Sequence, residues 1–395
     1  MKPILAALAV TLAVQALASM AVIAPSVLAP AAAREFGAAP QAVGLFVATV
    51  YFAAMIAGLA AGGLIARHGA FALCPAAAAL AGAGLALGCL GSVALAAAGA
   101  VLIGVAYGVV NPASSHILAR RAPPGRVALV FSLKQTGVPI GGAVAGAAVP
   151  PLLLAFGWRG ALAVLAVACV GAAFAFLPAR RALADPGPAE RAPGTRPRLA
   201  GMAGPIRLVI GVRRLRDLAF VSLTYAAVQV VFVTYFVAYL NLSLGYALVT
   251  AGLVYALGHG AGVLGRIVWG AVADRVLTPR TTLALIGALS ALCGALTAAS
   301  SPTWPLWAIV ALTLLYGASA VGWNGVYLAE VARSAPAGQV GVATGGTQFF
   351  TFAGALTGPP VFAGVVSWTG SYALGFGLFA LLPLAVLARL ALARG

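Results

Sequence analysis

Residues 111–125 read Asn-Pro-Ala-Ser-Ser-His-Ile-Leu-Ala-Arg-Arg-Ala-Pro-Pro-Gly, and residues 324–338 read Asn-Gly-Val-Tyr-Leu-Ala-Glu-Val-Ala-Arg-Ser-Ala-Pro-Ala-Gly. The two stretches stand 213 positions apart, and that offset pairs Asn111 with Asn324, Arg120 with Arg333, Pro123 with Pro336 and Gly125 with Gly338. It also carries Gln135 to Gln348, Gly141 to Gly354 and Gly157 to Gly370. A second echo, at offset 208, sets Gly62-Gly63-Leu64-Ile65-Ala66-Arg67 against Gly270-Ala271-Val272-Ala273-Asp274-Arg275. Ala and Gly coincide cheaply in this composition; Asn, Arg, Pro and Gln do not. A duplicated helical unit inside a very apolar chain is the signature of a transporter built from structural repeats, with its site between the halves.

Composition sets the solvent. Only 7% of the residues are charged and 63% are apolar, with a mean hydropathy of +1.07, far from the roughly 25% charged residues of soluble domains. Apolar runs long enough to cross a bilayer cover residues 4–28, 41–65, 70–91, 94–118, 127–153, 160–178, 217–242, 248–273, 281–301, 305–332, 339–366 and 371–392. Backbone polar groups must be satisfied inside lipid, so these segments are helices. The expectation is an all-α membrane protein of twelve transmembrane helices in two pseudo-symmetric six-helix bundles, residues 1–178 and 217–395. The first run exceeds the 7–15 apolar residues of a signal peptide and is read as segment 1.

Charge gives the orientation. Of 23 Lys and Arg, only Arg34 and Arg159 fall in one set of loops, and Lys134 and Arg266 lie within helices. The others sit at the termini or in the alternate loops, which the positive-inside rule places in the cytoplasm with both termini. The net charge of +17 is thus a topology signal, and the scatter of the charges argues against nucleic-acid binding. Residues 179–216 carry five Pro and nine Arg and read as a basic cytoplasmic linker. Within it, residues 206–216 are expected to lie on the membrane surface as a short amphipathic helix touching anionic lipid. Cys74, Cys89, Cys169 and Cys293 show no metal or redox spacing, so no metal and no cofactor are expected.

Gly270-x-x-x-Asp274-Arg275 between segments 8 and 9, the two halves and the long central loop together resemble the major facilitator superfamily. In the first half Gly62 and Arg67 fit the same signature, while Ala66 stands where the acid falls. The resemblance implies a cytoplasmic gate of Gly62, Arg67, Gly270, Asp274 and Arg275. Asp274 would satisfy helix N–H groups near Arg126, and Glu330 and Arg333 would pair with Arg275. Such contacts close one state and break in the other.

Lys134 and Arg266 lie some 10–12 Å in from the cytoplasmic edge at about 1.5 Å per residue. Ionisable residues at that depth are costly and mark function by default. The acids Glu35, Asp185, Glu190, Asp217, Asp274 and Glu330 are all in loops or at helix ends, so the counter-charge is expected from the substrate. The family resemblance implies that segments 5 and 8 face each other, bringing the two cations to one cavity. Gly265-Arg266-x-x-x-Gly270-x-x-x-Asp274-Arg275 is similar to the pattern of monocarboxylate and oxalate carriers. Gln135, Gln348, Asn111, Asn324, Tyr51 and Tyr225 are expected to complete the site, with Gln15, Gln229 and Tyr235 as further polar groups. Interhelical hydrogen bonding is the competing role for each, and Asn111 and Asn324 are also suited to patching helix bends. His259, two turns before Arg266, is the proton-coupling candidate.

The sequence therefore points to a secondary transporter of a small organic anion, a carboxylate first, proton-coupled or anion-exchanging. It is expected as a monomer in a bacterial inner membrane. The alternative is an exporter of amphipathic drugs, since Gly137-Val138-Pro139-Ile140-Gly141-Gly142 loosely resembles a drug-antiporter element. No paired carboxylates, nucleophile–base pair or phosphate loop suggests an enzyme.

Overall fold

A computed structural model describes residues 2–121, 130, 133–179, 183, 203–336 and 340–392, and among these every regular element is helical. The order is α1 (Lys2–Ala32), α2 (Val43–His68), α3 (Ala70–Gly88), α4 (Val93–Ala119), α5 (Gly137–Phe176), α6 (Ala203–Gly211) and α7 (Arg213–Ala238). Then follow α8 (Leu248–Arg275), α9 (Pro279–Ala299), α10 (Leu306–Ala320), α11 (Asn324–Ser334), α12 (Val340–Thr369) and α13 (Tyr372–Leu392). Arg126, Asp185, Glu190, Gly338 and most of the 179–216 linker lie outside the described residues.

Among the described residues, eleven helical stretches are long and apolar enough to cross a membrane. The fifth, Leu133–Ala179, is 47 residues long and reverses at Gly157, whose φ of 71° and ψ of 173° no helix contains. A side chain there would be strained, so the glycine is what allows the chain to fold back. Counted as two passes, that stretch brings the number to the expected twelve. Gly370, its partner at offset 213, turns the chain between α12 and α13 with φ 69°. The duplication is thus carried by backbone conformation as well as by residue type.

The chain gathers into two compact units. One takes the residues up to Pro40 and Thr49–Arg198; the other takes Gln41–Ala48 and Leu199–Gly395. Lipid tails are as apolar as leucine, so helices in a membrane associate by close packing over small residues. In the first unit Gly141 of α5 lies against Ala16 O of α1, leaving no room for a methyl. In the second, its counterpart Gly354 of α12 lies against Leu223 O of α7 in the same way. Gly104 on Val50 O and Gly317 on Gly258 O repeat the device for α4 on α2 and α10 on α8. The side chains left outside are strongly apolar, among them Leu154, Trp307 and Trp368, the last 91% exposed. Hydrocarbon is the solvent in which that surface is stable.

Two elements depart from the sequence expectation. The surface helix expected over 206–216 ends at Gly211, and α7 begins at Arg213 after an extended Val212 (φ −96°, ψ 111°). Arg213, Arg214 and Arg216 therefore belong to the first turn of a spanning helix, where long cationic chains snorkel toward the headgroups. The expected segment 305–332 is two helices, α10 and α11, with a turn at 321–323.

Gly354→Ala should lower stability by about 1–3 kcal/mol through overpacking. Gly364→Ala, where a methyl meets nothing within 4 Å, should be near neutral. Melting of the two variants in detergent checks this, and equal behaviour would contradict the packing described.

Candidate functional site

Lys134 sits on the helical turn just before α5, and its side chain is fully buried. Its ammonium donates to Asn111 Oδ1. Asn111 is exposed and precedes Pro112 inside a continuous α4, so it bonds the cation and patches no break in the helix. Gln15 of α1 packs beside the start of α5, 2.9 Å from the position a Cβ on Gly137 would take. Its Oε1 is buried and lacks a hydrogen-bond partner among the described residues. Tyr51 meets Tyr107 edge to face at 5.9 Å, and Gln135 is half-buried. The first unit thus holds a buried cation on Asn111, with the side chain of Gln15 against Gly137 at the start of α5.

In the second unit, Arg266 of α8 is half-buried and its Nε donates to Val321 O at 3.2 Å. One turn on, Trp269 Nε1 donates to Ala318 O at 2.9 Å. Ala318 is in the last turn of α10 and Val321 is the residue that follows the helix, where the 321–323 turn strips away intrahelical partners. A guanidinium at a helix C-terminus is favoured by the orphan carbonyls and by the negative end of the helix dipole. Asn324, on the far side of the same turn, reaches Gln229 Oε1 at 3.5 Å, and that oxygen accepts from Trp323 Nε1 at 2.9 Å. Here the expected bend exists, and Asn324 lies at it.

The remaining expected residues are placed individually. Tyr225 stacks edge-on to Trp323 at 5.6 Å, but its hydroxyl donates to Leu283 O at 2.6 Å and is committed to backbone. Tyr235 is buried, with Oη within reach of Pro359 O at 2.8 Å and Gln41 O at 3.0 Å. Gln348 is half-buried on α12. His259 is buried among aromatics, 4.5 Å from the Tyr255 ring and 6.4 Å from Phe232. Neither of its nitrogens has a hydrogen-bond partner among the described residues.

Of the expected gate residues, Asp274 Oδ1 lies 3.5 Å from Arg333 Nη2, with both side chains more than half exposed. Arg333 thus reaches the acid of the signature, while Glu330 sits in the field of Arg280, Arg333 and Arg214. Arg67 and Arg275 are exposed at the ends of α2 and α8. Gly270 has open space where a Cβ would stand, and Gly62 lies inside α2.

The sequence reading missed one polar cluster. Asp217 of α7, only 7% exposed, accepts from Arg389 Nε of α13 at 2.8 Å and lies 3.7 Å from Arg280 Nη2 of α9. Arg389 also covers the Phe220 ring at 5.0 Å. The available signal was an acid directly after Arg213, Arg214 and Arg216. Its partners, 63 and 172 residues away, leave no mark in local sequence. In the first unit Glu35 binds Arg159 at 2.9 Å and accepts from Trp158 Nε1 at 2.7 Å.

Comparison with known proteins follows this geometry. The profile of the Major Facilitator Superfamily matches residues 11–359. An uncharacterized MFS-type transporter of Mycobacterium tuberculosis (strain CDC 1551 / Oshkosh) is 28% identical over 282 residues, covering 71% of this chain and 61% of that protein. The chain thus matches less than two thirds of that relative's length. Among solved structures, a POT family transporter crystallised with 5-aminolevulinic acid superposes with a TM-score of 0.78 at 10% identity, over 98% of this chain and 95% of the other. The nucleoside transporter NupG does so with a TM-score of 0.77 at 14% identity, over 97% and 99%. At these identities the two structures establish the fold alone.

Asn111→Ala should cost about 1–3 kcal/mol, because it takes one acceptor from a buried ammonium. Asp274→Asn, which loses one exposed ion pair, should cost less than about 1 kcal/mol. Thermal melting in detergent orders the two, and the reverse order would refute this reading of Lys134.

Proposed function

The chain belongs to the Major Facilitator Superfamily, and we propose that it is a secondary transporter carrying a small organic anion, a carboxylate first, across the inner membrane by alternating access. Lys134 in the first unit and Arg266 in the second stand inside membrane-spanning stretches, and Asn111 Oδ1 and Val321 O, to which they donate, are neutral. That observation carries the reading. Three acids of the described chain pair with other arginines, Glu35 with Arg159, Asp217 with Arg389 and Arg280, and Asp274 with Arg333, and Glu330 lies in the field of Arg280, Arg333 and Arg214. A cation kept in low dielectric beside neutral acceptors attracts an anion far more strongly than it would in water.

The two cations differ in what they offer. Arg266 places its Nε on Val321 O, and the planar fork of a guanidinium suits a carboxylate. Lys134 is a point charge covered by the exposed Asn111, so an anion displaces or shares that amide. Gln15, with its open oxygen, accepts from a hydroxyl or amine on the ligand. The transport step itself is driven by protons or by exchange for a second anion, with His259 as the proton-coupling candidate. A pair as exposed as Asp274–Arg333 contributes little to the fold, so it can break and re-form between states at small cost.

Purified protein is expected to be stabilised by carboxylates, since a ligand of the folded state raises apparent stability. Arg266→Ala and Lys134→Ala should each abolish most of that shift. Stabilisation by cationic or neutral amphiphiles alone, unchanged in the variants, would replace the anion reading with drug export.

In proteoliposomes Asp274→Asn should insert normally and lower substrate flux at least tenfold, and wild-type flux would remove Asp274 from the gate.

A further inference from the structure

At the arginine-rich end of the second unit, α7 and α13 enclose an open cavity of about 480 Å³. Arg213, Arg216 and Arg389 line it, with Phe220 and the small Ala385 and Ala388 forming its apolar wall. Asp217 also lines it, but that carboxylate is turned to Arg389 and Arg280 and is compensated within the protein. The cavity therefore keeps an excess of positive charge. Arg216 reaches back to Ile210 O at 3.4 Å, and both Arg213 and Arg216 are exposed.

Two further features belong to the same place. Helix α7 starts here without a side-chain cap, and its first internal bond is Arg216 N to Val212 O. The N–H groups of 213–215 are thus left for another acceptor. On α13, Leu374, Leu378 and Leu381 are 44–57% exposed and continue through Ala385 and Ala388 at a spacing of three and four residues, one face of the helix. The stripe runs about 21 Å from the cavity along the helix, more than the roughly 15 Å of hydrocarbon in one leaflet.

From this juxtaposition we infer a lipid site: the cavity seats the phosphate of an anionic phospholipid, and one acyl chain lies along the exposed α13 stripe. Arg213 and Arg216 hold the phosphate, and Phe220 with the two alanines packs the glycerol region. The stripe favours a lipid over free phosphate, which would use the arginines and leave the leucines bare. The site is independent of the transported substrate, and its charge side is the one that the arginine pattern assigns to the cytoplasm.

The test uses the full chain, delipidated in detergent and titrated separately with phosphatidylglycerol, phosphatidylcholine, glycerol 3-phosphate and inorganic phosphate. Bound lipid is counted by native mass spectrometry and stability by melting. Phosphatidylglycerol should bind and raise the melting temperature. The double variant Arg213→Gln/Arg216→Gln should bind it about thirtyfold more weakly, at about fivefold per arginine near an anionic surface. Arg213→Gln alone, which leaves the Ile210 contact intact, should show the fivefold loss with unchanged lipid-free melting. Equal binding of phosphatidylcholine, or indifference to both variants, would overturn the site. An equal shift from inorganic phosphate or glycerol 3-phosphate would overturn its assignment to lipid.

Discussion

Hydrocarbon offers no hydrogen bonds, and the structure depends on how the protein repairs each place where a helix stops supplying its own. Near the end of α9, Tyr239 Oη donates to Thr297 O at 2.6 Å. The largest repair is at 321–323, where Arg266 and Trp269 reach two carbonyls and Gln229 collects Trp323 and Asn324. In water such ends would be solvated at no cost to sequence. In lipid each one fixes a polar side chain on a neighbouring helix.

That constraint explains what the sequence disclosed. The pairs Gly141/Gly354 and Gly157/Gly370 could be found by offset, because backbone approach and a left-handed turn admit little but glycine, and duplication preserves both demands. Lys134 and Arg266 stood out because a charge in an apolar run has no bland explanation at that depth. The Asp217 cluster stayed hidden because its three members come from α7, α9 and α13, and nothing local marks them as neighbours. Tyr225 was read as a site residue on its polarity, yet its hydroxyl is spent on Leu283 O. A single sequence shows that a phenol is present but not which carbonyl stands opposite.

The helix breaks also separate the two asparagines that the repeat relates. Asn111 precedes Pro112, and α4 nevertheless runs unbroken to Ala119; Asn324 follows a turn that divides α10 from α11. The same residue at matching positions serves a buried cation in one half and a broken helix in the other. Duplicated sequence therefore keeps the scaffold alike while the polar groups on it diverge, as an asymmetric ligand would require.

Arg266 shows how far one side chain can serve both ends. As a cap for α10 it needs one donor on Val321 O, and a lysine or glutamine would meet that need. An arginine brings a planar fork of donors and a permanent charge, which the capping of one carbonyl does not require. Placing that charge inside the membrane costs several times what one neutral hydrogen bond returns. Capping alone does not call for the permanent charge, and the anion binding proposed above would use it. The repair of the broken helix would then do more than patch it: it would hold the guanidinium in place before an anion arrives, so that less ordering is left for binding to supply.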